Sequence, residues 1–122
     1  MSLDWDVGGG EEDKLQEALS ACLSATDLDP GYAEGHAYLA EVYADLGRTA
    51  EAVESARLAV TLNDASAFVH RDLGYALEKQ RKYPEAIAEY KRASQIHPRL
   101  AQPYIDLGRV YMARGKIKDA LT

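Results

Sequence analysis

Few side chains in this sequence are of a kind, or at a spacing, that supports catalysis. It holds three histidines and one cysteine, Cys22. His36 and His70 are 34 residues apart, too far in sequence for a compact metal motif. A zinc site needs further Cys or His ligands at close spacing. The two histidines are therefore read as large ring residues between helices, and no metal site is expected. Cys22 has no neighbouring histidine to draw off its proton, so it reads as a small buried hydrophobe rather than a nucleophile. No glycine-rich phosphate loop, nucleophile elbow or paired-carboxylate motif occurs. Catalytic residues and cofactors are accordingly expected to be absent. The remaining chemistry is recognition, for which aromatic side chains and arginines are the usual anchors. Phe68, Arg71, Tyr75 and Arg109 are the strongest candidates of that kind.

The elements that would carry these residues come from periodicity. His36, Leu39, Ala40 and Tyr43 fall at i, i+3, i+4 and i+7, one face of a helix. Ala52, Val53, Ala56, Ala59 and Val60 make a second face, with Gly47 between the two where a helix can end. In the next unit Tyr83-Pro84-Glu85 opens a helix, because a proline in the first turn sacrifices no needed hydrogen bond. The chain also matches itself at an offset of 34. Leu39, Leu73 and Leu107 form one series; the small residues Ala40, Gly74 and Gly108 form the next. Ala18, Ala52, Ala86 and Ala120 form another, as do Ala25, Ala59 and Ala93. Small residues at 40, 74 and 108 facing the alanines at 52, 86 and 120 would let helix axes approach closely. This predicts seven helices, over 11–26, 31–46, 49–62, 67–80, 84–97 and 101–114, with a stub from 117. Leu39, Leu73, Leu107, Ala52 and Ala86 are the expected core. No stretch alternates as a strand would.

Composition narrows the partners. Hydrophobic residues make up 47% of the 122, enough for a packed core. The formal net charge of -6 opposes binding a polyphosphate backbone by charge alone and favours neutral or basic partners. No run is long and apolar enough to span a membrane. Met1 to Gly10 lacks the basic start and apolar stretch of a signal peptide. A lone cysteine suits a reducing compartment, so a cytoplasmic location is expected.

The repeat resembles the tetratricopeptide repeat, whose signature runs W-x2-L-G-x2-Y, then A-x3-F, then P. The closest unit reads His70-x2-Leu73-Gly74-x2-Leu77, Ala86-x3-Tyr90, Pro98. The unit before it reads His36-x2-Leu39-Ala40-x2-Tyr43, Ala52-x3-Ala56, with Asp64 at the proline place. The last reads Tyr104-x2-Leu107-Gly108-x2-Tyr111 and Ala120. The resemblance implies an all-α, right-handed solenoid of antiparallel helix hairpins. The expected division is a flexible lead-in or expression scar at 1–10, the second helix of an incomplete repeat at 11–32, repeats at 33–66 and 67–100, and a truncated repeat at 101–122. The ends suggest a piece of a longer protein.

It further implies a concave groove lined by the first helix of each pair. The expected groove residues are Glu41, Phe68, Arg71, Asp72, Tyr75, Gln102, Ile105, Arg109 and Met112, with Glu34, Ala37, Tyr38, Asp45, Glu78, Lys79 and Asp106 nearby. The expected function is a non-catalytic protein-interaction module holding a neutral or basic peptide. Some family members clamp an acidic C-terminal tail with Lys, Asn and Arg. Those places here hold Ala37, Glu41, Asp72, Gln102 and Asp106, so the clamp is absent. One alternative is a non-catalytic repeat segment of a larger enzyme. Another, RNA binding of the pentatricopeptide kind, is opposed by the period of 34 and the acidic charge. Finally, the helix at 11–26 lacks a preceding partner and the helix at 101–114 a following one. Copies are expected to associate end to end through these faces.

Overall fold

A computed structural model describes residues 7–121, with side chains described over 10–116. Six helices follow one another: α1 (Val7–Leu28), α2 (Ala33–Asp45), α3 (Thr49–Leu62), α4 (Ala67–Lys79), α5 (Tyr83–Ile96) and α6 (Gln102–Leu121). No strand occurs among the described residues.

The hairpins α2–α3 and α4–α5 close in the same way. After α2, Gly47 takes φ 81, and the Arg48 N–H donates to the Tyr43 carbonyl at 2.9 Å. After α4, Arg81 takes φ 64, and the Lys82 N–H donates to the Leu77 carbonyl at 3.0 Å. Each is a left-handed helix stop that satisfies carbonyls a bare helix end would leave open. Glycine adopts this conformation freely; Arg81 does so against its Cβ, at a cost of about 1–2 kcal/mol. Ser66 caps α4, its hydroxyl accepting from the Val69 N–H at 3.2 Å. Pro84 sits in the first turn of α5, where its missing N–H is harmless.

The core runs through these pairs. Ala40, Ala44, Ala52, Ala56, Leu73, Leu77, Ala86, Ile87, Tyr90 and Val110 form one buried cluster. A Cβ placed on Gly74 would meet the Tyr90 ring at 2.8 Å. The close approach at Gly74 is therefore to Tyr90, not to Ala86 as the spacing suggested. In the first hairpin Ala40 and Ala56 hold the equivalent places, small on both sides.

Adjacent elements stack in order, and the first helices also touch one another: α2 meets α4, and α4 meets α6. Among the described residues no second helix, α1, α3 or α5, touches another. An inner layer drawn together and an outer layer held apart give the stack its curvature.

Three expectations change. Helix α1 starts at Val7, so Gly8-Gly9-Gly10 lies in its first turn rather than before it. Helix α6 runs unbroken through Gly115, so the predicted stub from 117 is its continuation. A left-handed stop there would give up helical hydrogen bonds, and the docking of a second helix would have to offset that loss. Leu107, expected in the core, is only half-buried, whereas Leu39, Leu73, Ala52 and Ala86 are buried.

Candidate partner-binding face

The inner face is built from α2, α4 and α6, and charged side chains cross it from helix to helix. Arg71 of α4 is at its centre. Its Nε donates to Asp106 Oδ2 of α6 at 2.7 Å, and its NH1 lies 3.5 Å from Glu41 Oε2 of α2. Burial works against the Arg71 charge, but the hydrogen bonds and charge of Asp106 outweigh it and hold the guanidinium firmly protonated. Asp106 is fully buried, also accepts from Gln102 at 3.1 Å, and lies 3.1 Å from the Arg109 guanidinium as an ion pair. Arg109 is clamped by both oxygens of Glu78, at 2.7 and 2.8 Å. Such a two-pronged pair fixes geometry as well as charge. Glu78 in turn accepts from the Tyr90 hydroxyl at 2.7 Å. Burial alone would raise the Glu78 carboxyl; the hydrogen bonds from Arg109 and Tyr90 prevail and keep it below the usual range.

Asp72 borders this network without a hydrogen bond into it. It is fully buried, neither oxygen has a hydrogen-bond partner, and its nearest cation, Arg71 NH1, is 3.6 Å away. Burial, followed by the charge of nearby Glu41, pushes its carboxyl up to about 9. Tyr75 donates its hydroxyl to Asp45 Oδ1, with Lys79 Nζ 5.2 Å from its ring centre. Burial and then that hydrogen bond push its phenol well above the usual value.

The candidate residues thus divide into three groups. Glu41, Arg71, Asp72, Tyr75, Gln102 and Arg109 converge on the charged lattice, together with Asp45, Glu78 and Asp106. Phe68 lies to one side, its ring 4.9 Å from that of Tyr38. Ile105 and Met112 are exposed on α6 and share a face with Arg109 at i, i+4 and i+7. Asp72 and Asp106 offer no surface to a partner, since both are fully buried; Ala37, also expected there, is fully buried too. Arg71 and Arg109, the leading anchors, already have intramolecular partners.

The spacing did not reveal one repeated device. His36 Nε2 lies 2.7 Å from the Pro30 carbonyl, and His70 Nε2 lies 2.7 Å from the Asp64 carbonyl. Tyr104 donates its hydroxyl to the Pro98 carbonyl at 3.4 Å. A carbonyl only accepts, so Nε2 donates in both histidines. Each ring braces the turn six residues before it. The signal was present in the sequence, since 30, 64 and 98 share the 34-residue register of 36, 70 and 104. Cys22 is half-buried, and burial followed by the Glu41 charge raises its thiol, which lowers its thiolate fraction. Among the described residues no group of three His, Cys, Asp or Glu is placed to hold a metal. None of the described helices is long and apolar enough to cross a membrane.

Comparison with known proteins agrees with this architecture. A tetratricopeptide-repeat family model matches residues 11–69, and a TPR-repeat model matches residues 74–115. No curated protein sequence is significantly similar to the chain. Among solved structures, the first TPR domain of human RPAP3 superposes with a TM-score of 0.78 at 24% identity, over 89% of this chain and 86% of that one. The first TPR of Spaghetti (RPAP3), bound to the HSP90 peptide SRMEEVD, gives 0.74 at 25% identity, over 86% and 83%. The crystal structure of MamA gives 0.69 at 27% identity, over 94% of this chain and 67% of that one. With its 34-residue register, its hairpins and these matches, the chain is a right-handed helical solenoid belonging to the tetratricopeptide-repeat family, a fold of protein-interaction modules.

Proposed function

We propose that the chain is a non-catalytic, cytoplasmic module that holds a neutral or basic peptide segment across the inner face of α2, α4 and α6. The observation that carries this reading is the charge left over on that face. Arg71 and Arg109 are neutralised by Asp106 and Glu78, and Lys79 is near the Tyr75 ring. Exposed Asp45 and half-buried Glu34 and Glu41 remain to meet an incoming cation. The Phe68–Tyr38 pair, Ile105 and Met112 supply apolar ground beside them. The SRMEEVD peptide held by the Spaghetti domain carries three carboxylate side chains. An acidic tail of that kind would meet Glu41 here, so it is not the ligand this surface favours.

Calorimetric titration with Lys- and Arg-containing peptides against Glu- and Asp-containing ones tests the reading. Binding of the basic set, weakened by salt and reduced about 3-fold or more by Glu41→Gln with Asp45→Asn, is expected. Preference for the acidic set would overturn it.

A further inference from the structure

We propose that copies of this chain join head to tail, the α1 helix of one copy docking on α6 of the next in the place of a second helix. The α4–α5 hairpin shows what that place requires. Ala86, Tyr90 and Ala93 of α5 are buried, and so are Leu73, Gly74 and Leu77 of α4, with the Tyr90 ring seated on Gly74. Two repeats earlier in register, α1 carries Ala18, Cys22 and Ala25. One repeat later, α6 carries Leu107, Gly108 and Tyr111.

At both ends these are the positions left uncovered. Ala25, Gly108 and Tyr111 are exposed, and Ala18, Cys22 and Leu107 are only half-buried. A Cβ on Gly108 would meet nothing within 4 Å. Among the described residues α1 touches only α2, and α6 touches only α5 and α4. Among the described residues, α1 is a second helix with no first helix packed on it, and α6 a first helix with no second.

Charge says that the occupant is another copy. Leu15 corresponds to Tyr83, where α5 starts, and Ala113 to Lys79, where α4 ends. In an antiparallel pair built like α4–α5, the turns of α1 before Leu15 therefore run beside the residues of α6 after Ala113. There α1 carries exposed Glu11, Glu12 and Asp13 against one cation, Lys14, and α6 carries exposed Arg114 and Lys116. Each end thus fits the other rather than itself in sign. The contact is heterologous, so each added copy exposes a fresh end and the assembly grows. It uses the outer ends rather than the inner face, and so stands whether or not a peptide binds there.

Sedimentation and light scattering on the chain, over a concentration series reaching about 1 mM, where weak protein contacts register, provide the test. The mass is expected to pass beyond a dimer as concentration rises and to fall back with salt. Gly108→Arg blocks the α6 face and Ala25→Arg the α1 face; both positions are exposed, and unchanged circular-dichroism melts check that each variant folds. Each alone is expected to stay monomeric, and an equimolar mixture to form a dimer and stop there. Lys116→Glu is expected to weaken association, and adding Glu12→Lys to restore it. A wild-type chain that stays monomeric throughout would overturn the proposal. So would either blocked variant dimerising alone, because that means a two-fold contact through one end.

Discussion

Asp72 is an acid enclosed in the inner layer with nothing to donate to it. Its carboxyl is pushed up to about 9, while the ordinary value is 3.8, so at neutral pH the folded chain holds a proton there that the unfolded chain releases. Such a group contributes its stability in full below the unfolded value and loses it as pH rises, until none is left above about 9. Asp72→Asn keeps the shape and removes the titration. The variant is expected to be more stable than wild type at pH 8 by at least about 1 kcal/mol, with the gap closing towards pH 4. Urea midpoints at the two pH values measure it; an equal gap at both would contradict the burial argument. Sequence spacing placed residues 72 and 106 on the inner side of their helices, but could not show that they are buried. That depends on how closely α4 lies against α2 and α6, a distance set by tertiary packing. Nor could it pair Arg71 with Asp106, since 35 residues separate them and only the stacking of hairpins brings them within 2.7 Å.

At the scale of elements, the helices were legible because each repeats a 3.6-residue apolar stripe at one register. The turns were legible only in part. Gly47 announces a left-handed stop; Arg81 occupies the same place and conformation without the signal. Gly115 has the signal and continues as helix. The approach of α4 and α5 gives the sharpest test of the packing. Gly74→Leu drives a branched side chain into the Tyr90 ring, and about 1–3 kcal/mol of stability is expected to go with it. Gly108→Leu, at the equivalent place with open space above it, is expected to change stability far less. Chemical denaturation of the two variants side by side distinguishes them, and equal losses would show that the hairpin contact is not what limits position 74.

For the whole molecule, the solenoid followed from the register, while its inner surface did not. The sequence counts charges, but which carboxylates remain free depends on which arginines have already been taken by a neighbouring repeat. The same layering has a mechanical consequence. First helices touch and second helices do not, so the stack behaves as a leaf spring hinged along its inner edge. Its hairpins are joined by α2 and α3 packing on α4 and by α5 packing on α6, and the bridges from Arg71 and Arg109 tie the inner face across them. On the proposed function, a segment lying across α2, α4 and α6 would act as a strut on that edge and set the bow of the spring. Small-angle scattering is expected to show a narrower spread of dimensions with a basic peptide bound, and Arg109→Ala is expected to broaden it in the free chain. Identical scattering curves in all three cases would mean that the backbone alone sets the curvature. On the proposed function, the partner would be read by shape and charge and also by the bend it imposes on the stack.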